Sequence, residues 1–188
     1  MPLTHYVNFD CRESGDKSEE GEGDFLVAHI LTGIHQAIVT ECGEDATKQS
    51  KIAMCFPQAN QDSHGAVIRV FTSDKDVMGR LLRNPAVHRY ATSVASEILL
   101  VPEQHQYQRV ARNRQADRLS PSQKRRDVRR GKSVTMAEVR KNGFIVNVIS
   151  RTTNQEFPLF ITQTPIDQPS DGVFNAYGLS TTATMPMF

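Results

Sequence analysis

The order of apolar segments in the first hundred residues limits the folds open to this chain more than any other feature of its sequence. Residues 5–9, 51–56, 66–71 and 96–101 have the length and composition typical of strands. A helix over 25–40, capped by Asp24, follows the first of them, and its apolar stripe consists of Leu26, Ile30, Ile34 and Ile38. A second helix, whose start lies at 73–76 and includes Asp74, follows the third. The resulting order, β-α-β-β-α-β, predicts a ferredoxin-like domain over residues 1–102. Since unrelated functions share this fold, it leaves the activity open.

Residues 103–188 follow a different pattern and predict a second, smaller domain. After a polar stretch, Ser120 and Pro121 provide a cap and a first turn for a helix over about 121–130. Segments 144–149 and 157–161 then flank a turn around 152–154 and predict a β-hairpin. We therefore expect an α+β protein whose C-terminal domain carries one helix and a hairpin.

The near-neutral net charge of +1 conceals two oppositely charged regions. Residues 1–50 contain ten acidic and three basic side chains, whereas residues 109–141 contain twelve basic and three acidic ones. Nine of those twelve bases are arginine, which binds phosphate in a bidentate manner better than lysine does. A region with a net charge of +9 in such a protein favours a polyanion-binding surface, and a solvated surface is the simpler alternative.

The predicted helix at 121–130 concentrates this charge. At about 100° per residue, four arginines fall within roughly 140° of one another, and no apolar stripe accompanies them. They are Arg125, Arg126, Arg129 and Arg130. Such a helix fits a groove lined by phosphates better than it fits a protein core.

Cysteine usage and hydropathy indicate the compartment. The three cysteines, Cys11, Cys42 and Cys55, are too widely spaced for a disulfide framework or a zinc knuckle. The first residues lack the basic start and the apolar stretch of a secretory leader, and no apolar run approaches the roughly 20 residues that span a bilayer. We expect a cytoplasmic protein with no membrane contact.

The residues available for chemistry favour acid–base catalysis without a metal or another cofactor. Acidic side chains do not cluster beside the basic region, as the ligands of a two-metal nuclease would. RNA can be cut without a metal, because its 2′-hydroxyl can attack the adjacent phosphate when a base and correct alignment are supplied. Histidine is the natural base near neutral pH. The six histidines are His5, His29, His35, His64, His88 and His105.

Three sequence patterns together carry a family resemblance. The first helix contains Gly-Ile-His-Gln-Ala-Ile-Val at 33–39, the arginine-rich helix follows, and Tyr-Gly-Leu-Ser at 177–180 precedes the final Phe188. Over essentially its whole length the chain resembles the CRISPR-associated repeat endoribonucleases of the type I-F (Csy) system. The closing Tyr-Gly-Leu-Ser pattern is the most specific of the three.

The resemblance implies a set of catalytic residues. It assigns His35 as the base that activates the 2′-hydroxyl, and Tyr177 as the residue that orients it. Ser150, seven residues before Phe157, corresponds to the serine that holds the ribose at the cleavage site. Phe157 corresponds to the aromatic residue that stacks on the terminal base pair of the RNA hairpin.

The resemblance also implies an RNA-binding set. The arginine-rich helix is expected in the major groove of the RNA stem, where Arg125, Arg126, Arg129, Arg130 and Lys124 contact mostly phosphates. Base reading is expected from the linker segment after the ferredoxin-like half. The candidates there are Gln108, Arg109 and Arg112, in an order that departs from the family pattern, so which of them reads bases stays open.

The function implied is a metal-independent endoribonuclease that binds the stem-loop of CRISPR repeat RNA and cleaves at the 3′ base of the stem. The expected products are a 2′,3′-cyclic phosphate and a 5′-hydroxyl. The protein is expected to stay on its product, the 3′ handle of the guide RNA, beside other subunits of the surveillance complex. Two rivals remain: a pure RNA-binding module, and an enzyme of another class whose basic region attracts a small anionic substrate.

Overall fold

The computed structural model describes residues 2–12, 22–42, 51–114, 121–131, 135, 143–150, 153 and 155–188. For residues 22, 23, 42 and 121–124 only the backbone is described. These parts contain four helices and eight strands. In chain order they are β1 His5–Asp10, α1 Glu22–Cys42, β2 Ile52–Cys55, β3 Val67–Thr72, α2 Lys75–Arg83, α3 Pro85–Val94, β4 Leu99–Leu100, β5 Gln106–Arg112, α4 Pro121–Arg129, β6 Phe144–Ile149, β7 Glu156–Ile166 and β8 Met185–Met187.

The strands form two antiparallel sheets, which confirms a mixed α+β protein. The first sheet has the order β2-β3-β1-β4 and the second the order β6-β7-β5-β8. Side-chain burial alternates along β1, which shows which face of the strand packs on the core. Val7 and Phe9 are fully buried, whereas Tyr6 and Asn8 are only partly buried.

One cluster of buried apolar side chains serves both sheets. It extends from Val7 and Ile68 in the first sheet to Val146 and Ile161 in the second. The Gln163 side chain joins the two halves, since its Oε1 accepts from the Phe56 N–H at 3.2 Å and its Nε2 donates to the Phe56 carbonyl at 3.1 Å. The halves are therefore packed together as well as connected along the chain.

Helix α1 lies between α3 and β6. Its predicted apolar stripe is confirmed, because Ile30, Ile34 and Ile38 are all at most 1% exposed. Gly33 allows α3 to approach closely, since a Cβ at this position would lie 2.4 Å from the Ala86 carbonyl oxygen. The helix is thus fixed along its length by a core on one side and a neighbouring helix on another.

Several predicted boundaries are wrong. Helix α1 begins at Glu22, so Asp24 lies within it and does not cap it; acidic residues in the first turn favour such an extension through the helix dipole. Residues 13–21 of the acidic region 1–50 lie outside the described residues. The fourth strand is two residues long, and Leu100 in it is 71% exposed. The predicted linker around Gln108 is strand β5, in which Gln108 and Val110 alternate inward.

Three elements were not predicted or are longer than predicted. Helix α3 begins after Asn84, whose side chain accepts from the Ala86 N–H at 3.0 Å, with Pro85 in the first turn. Strand β7 continues to Ile166, five residues beyond its predicted end at 161, because it pairs with β5 as well as β6. Strand β8 pairs with the other edge of β5. The predicted hairpin is therefore part of a four-stranded sheet.

Candidate active site

His35 lies on α1 and is held by a backbone carbonyl from the far end of the chain. Its Nδ1 is 2.8 Å from the Ala176 oxygen, a contact across 141 residues of sequence. Because a carbonyl oxygen only accepts hydrogen bonds, Nδ1 must carry the proton in this contact. In the neutral ring, Nε2 then has the free lone pair and is the basic nitrogen. The half-buried imidazole is thus fixed in the tautomer that a general base requires.

Tyr177 covers one face of the His35 ring. The two ring centroids are 4.0 Å apart and the planes differ by 5°, which is a parallel stack. Burial raises the pKa of Tyr177, while the positive charge of nearby Arg112 acts in the opposite direction. The phenol therefore stays neutral at physiological pH and contributes a flat surface and a hydroxyl group.

The turn that carries Tyr177 is held by its own hydrogen bonds. The Asn175 side chain accepts from the Tyr177 N–H at 2.8 Å and from the Leu179 N–H at 3.1 Å. Gly178 has a φ of +66°, and its carbonyl accepts from the Met54 N–H at 2.9 Å. Glycine is favoured here because of this positive φ, and a Cβ at Gly178 would also lie in tight contact with the Met54 Cβ, at 3.1 Å. The Tyr-Gly-Leu-Ser pattern thus has a structural reason at its second residue.

The residue before Ser150, Ile149, is hydrogen-bonded to helix α1 through Thr32. The Thr32 hydroxyl accepts from the Ile149 N–H at 3.2 Å and donates to the Ala28 carbonyl at 2.8 Å, so it attaches the end of β6 to α1. Residues three apart lie on one side of a helix, so His35 lies one turn from this attachment. Ser150 follows directly, with its N–H donating to the Gln155 carbonyl at 2.8 Å. Thr32 was not among the predicted functional residues, and nothing in its local sequence distinguishes it.

Phe157 is the strand partner of Val148, two residues before Ser150. It is half-buried and packs against the apolar cluster. Part of its surface remains exposed near the start of β7. The turn between the two strands is described only at Thr153, whose N–H donates to the Ser150 hydroxyl at 3.4 Å.

The three base-reading candidates occupy different environments on β5. Gln108 is 2% exposed, and its Nε2 donates to the Pro186 carbonyl at 3.2 Å. Arg109 is half-buried and its Nη2 donates to the Thr182 carbonyl at 3.2 Å. Arg112, at the end of the strand, is exposed and lies near Tyr177. The structure therefore brings Arg112 toward the His35–Tyr177 stack and places Gln108 in the interior.

Helix α4 presents the predicted arginine cluster to solvent. Arg125, Arg126, Arg129 and Arg130 are all exposed. Val128 is 73% exposed, whereas Asp127 is 3% exposed. The side chain of Lys124 and the predicted cap Ser120 lie outside what the structure describes. The helix thus has no apolar side buried against the sheets over its described side chains.

Two other features are absent from the residues that the structure describes. No group of three or more histidine, cysteine, aspartate or glutamate side chains is arranged to hold a metal ion in the described part of the chain. Among the helices that the structure describes, none combines the length and the apolar character needed to cross a membrane.

Comparison with known families identifies the chain. Residues 14–188 match the family model described as CRISPR-associated protein (Cas_Csy4), a match that includes α1, α4 and the turn at 175–180. The chain belongs to the Csy4 family. It is therefore a type I-F CRISPR-associated protein and a repeat-processing endoribonuclease that binds CRISPR repeat RNA. No curated protein matches the chain.

Proposed function

We propose that this Csy4-family protein cleaves the stem-loop of CRISPR repeat RNA without a metal ion, using the 2′-hydroxyl of the RNA as the nucleophile. The observation that carries the proposal is the contact between His35 Nδ1 and the Ala176 carbonyl, which leaves Nε2 as the basic nitrogen. A histidine that needs no rearrangement to act as a base supports acid–base chemistry at this position.

In the proposed reaction, His35 Nε2 takes the proton of the 2′-hydroxyl at the 3′ base of the stem. The 2′-oxygen attacks the adjacent phosphorus, the bond to the 5′-oxygen breaks, and that oxygen is protonated as it leaves. The products are a 2′,3′-cyclic phosphate and a 5′-hydroxyl. Tyr177 keeps the imidazole plane fixed, and Ser150 holds the ribose; the Thr32 attachment of β6 to α1 supports this role.

The RNA stem is proposed to lie along the arginine side of α4. Four exposed guanidiniums support phosphate contacts from Arg125, Arg126, Arg129 and Arg130, with Lys124 beside them. Phe157 is proposed to stack on the terminal base pair with its exposed part. Arg109 and Arg112 remain candidates for base contacts, and Gln108 would have to leave the interior to reach a base.

The division into two domains is also part of the proposal. The element order β1-α1-β2-β3-α2-α3-β4, with α2 and α3 together in the place of the second helix, and the sheet order β2-β3-β1-β4 support a ferredoxin-like domain over residues 1–102. Residues 103–188 would form the RNA-binding domain, with β5 to β8 as its sheet. We further propose that the cytoplasmic protein stays on its product as one subunit of the surveillance complex.

The test is cleavage of a short hairpin RNA from the host's CRISPR repeat in EDTA, beside a copy with one 2′-deoxy nucleotide at the scissile position. We expect the first RNA to be cut to a cyclic phosphate and the second to bind without being cut. Cutting of both would exclude attack by the 2′-hydroxyl. Binding of both without cutting would favour an RNA-binding module.

A further inference from the structure

We infer that Thr32 is a positioning residue that sets the separation between His35, the proposed base, and Ser150, the proposed ribose-binding residue. This inference rests on the proposed function and deepens it. The two side chains belong to different parts of the chain, since His35 lies on α1 and Ser150 follows the last residue of β6. Attack by the 2′-hydroxyl requires both to contact the same ribose, so a bond that fixes α1 against the end of β6 controls their alignment.

The end of β6 carries an N–H group that does not point into the sheet. Strand β6 lies at an edge of the second sheet, beside β7. Successive N–H groups of a strand point to opposite sides, and the Ser150 N–H points to β7, where it donates to the Gln155 carbonyl at 2.8 Å. The N–H of Ile149, a partly buried residue, therefore points away from β7 and needs an acceptor elsewhere.

The Thr32 hydroxyl supplies this acceptor. Its oxygen is 3.2 Å from the Ile149 nitrogen, and its proton is donated to the Ala28 carbonyl at 2.8 Å, one turn earlier in α1. Because a hydroxyl has two lone pairs beside its single proton, it makes both bonds at once. Two consecutive N–H groups are then held in opposite directions, that of Ile149 by α1 and that of Ser150 by β7. The backbone that carries the Ser150 side chain is thus fixed on both sides.

The position of Thr32 on α1 relates this bond to the base. His35 is three residues further along, which is about 4.5 Å along the helix axis and about 60° around it. The His35 ring is itself held by Ala176 and Tyr177. Thr32 therefore joins the helix that holds the base to the strand end that holds the ribose-binding residue.

The experiment compares wild type with Thr32→Val, which keeps the shape of the side chain and removes the hydroxyl, and with Thr32→Ser, which keeps the hydroxyl. Thr40→Val is the matched control, because Thr40 is an exposed residue of α1 whose hydroxyl donates to the Gln36 carbonyl at 2.9 Å. The cleavage rate is measured with enzyme in excess over hairpin RNA, and the Kd is measured with the 2′-deoxy hairpin.

We expect Thr32→Val to lower the cleavage rate about 10- to 10²-fold while the Kd stays within about threefold of the wild-type value, since a small displacement of an aligned group slows the reaction more than it weakens binding. Thr32→Ser should restore most of the rate, and Thr40→Val should change neither quantity. A wild-type rate for Thr32→Val would overturn the inference. So would an equal loss in Thr32→Ser, or a rise in Kd as large as the loss of rate.

Combination with Ser150→Ala separates the positioning of Ser150 from a merely structural role. If Thr32 acts through Ser150, the benefit of its hydroxyl is already lost in Ser150→Ala, so the double variant should cut as fast as Ser150→Ala alone. General destabilisation of α1 would instead slow both backgrounds by the same factor. That result would overturn the inference, because Thr32 would then act without Ser150.

The outcomes also distinguish this inference from the proposed function. If wild type binds the hairpin and does not cut it in EDTA, the proposed function is wrong and the inference falls with it. If wild type cuts in EDTA and Thr32→Val cuts equally fast, the proposed function stands and the inference alone is overturned.

Discussion

Helices α1 and α4 differ in how far contacts within the protein hold their polar side chains in place. Around α1, His35, the proposed base, is hydrogen-bonded to the Ala176 carbonyl, stacked on Tyr177, and carried by a helix whose inner side is fully buried. On α4, the four arginines and Val128 are exposed, and charge rather than packing is its main feature. Helix α1 is held in place by contacts within the protein, whereas α4 offers a charged surface to the RNA.

This difference indicates how binding and cleavage are separated. Acid–base catalysis depends on alignment, so its groups gain from being fixed before the substrate arrives. Phosphate binding depends on charge and counterion release, and exposed guanidiniums supply both without a fixed geometry. We therefore expect substitutions around α1 to change the cleavage rate and substitutions on α4 to change affinity.

The largest effect is expected for His35→Ala. Loss of the base should lower the cleavage rate at saturating enzyme by about 10²–10⁴-fold, while the Kd for the 2′-deoxy hairpin stays near the wild-type value. His29→Ala is the matched control on the same helix, since the His29 ring contacts only Phe25 and Tyr90 among the described aromatic residues. Equal loss in both variants would mean that α1 needs its histidines for packing, and a wild-type rate in His35→Ala would remove it from the mechanism.

The next effect is expected on α4. Replacing Arg125, Arg126, Arg129 and Arg130 by glutamine, singly and together, should raise the Kd progressively. The slope of log Kd against log salt should fall by about 1 for each arginine that contacts a phosphate. The cleavage rate at saturating enzyme should be retained. A loss of cleavage rate that higher enzyme concentration does not restore would contradict the expected division between binding on α4 and cleavage at α1.

The sequence predicted the parts of this structure that local patterns determine. The apolar stripe of Ile30, Ile34 and Ile38 predicted α1, and Asp74 predicted the start of α2, where it does accept from the Asp76 N–H at 2.8 Å. Strand β5 was missed because it contains the polar residues Gln106, Gln108, Arg109 and Arg112, and burial of Gln108 depends on a second sheet that its own sequence does not reveal.

The candidate site depends on contacts between distant segments, which local patterns do not encode. The stack of His35 and Tyr177 joins α1 to the end of the chain, and only the family resemblance placed the two residues together before the structure did. Thr32 and the proximity of Arg112 to Tyr177 were not predicted at all. Both arise from how β5 and β6 pack against the first half.

A pair of glycines gives a smaller but sharper test. Gly178 and Gly131 have nearly equal positive φ values of 66° and 65°, so alanine at either should cost about 1–2 kcal/mol of backbone strain. An added Cβ meets Met54 at Gly178 and nothing within 4 Å at Gly131, just after α4. Gly178→Ala should therefore also displace Tyr177 and lower the cleavage rate several-fold. Gly131→Ala should lower only the free energy of unfolding, measured in urea. Equal cleavage rates in the two variants would show that the turn does not need its present geometry.

The smallest effect is expected at alkaline pH and concerns the buried groups behind the active site. Burial raises the pKa of Cys55 from 9.0 to about 12, and Cys55 adjoins Met54, which holds the Tyr177 turn. Well below pH 9 the thiol is protonated in both the folded and the unfolded chain, so the free energy of unfolding does not depend on it. Between pH 9 and 12 the unfolded chain releases a proton that the folded chain retains, so stability falls as pH rises.

Urea unfolding of wild type and Cys55→Ser at neutral pH and just above pH 9 measures this contribution. The serine variant lacks a group that ionises in this range, so its stability should fall less with pH than that of wild type. Cys11, whose pKa burial also raises to about 12, should keep part of the decline in the variant. Parallel curves for the two proteins would mean that the Cys55 thiol ionises as easily in the folded chain as in the unfolded one, and that the region behind the Tyr177 turn admits water. That outcome would weaken the contrast with α4, because the strand that holds the Tyr177 turn through Met54 would then be open to solvent.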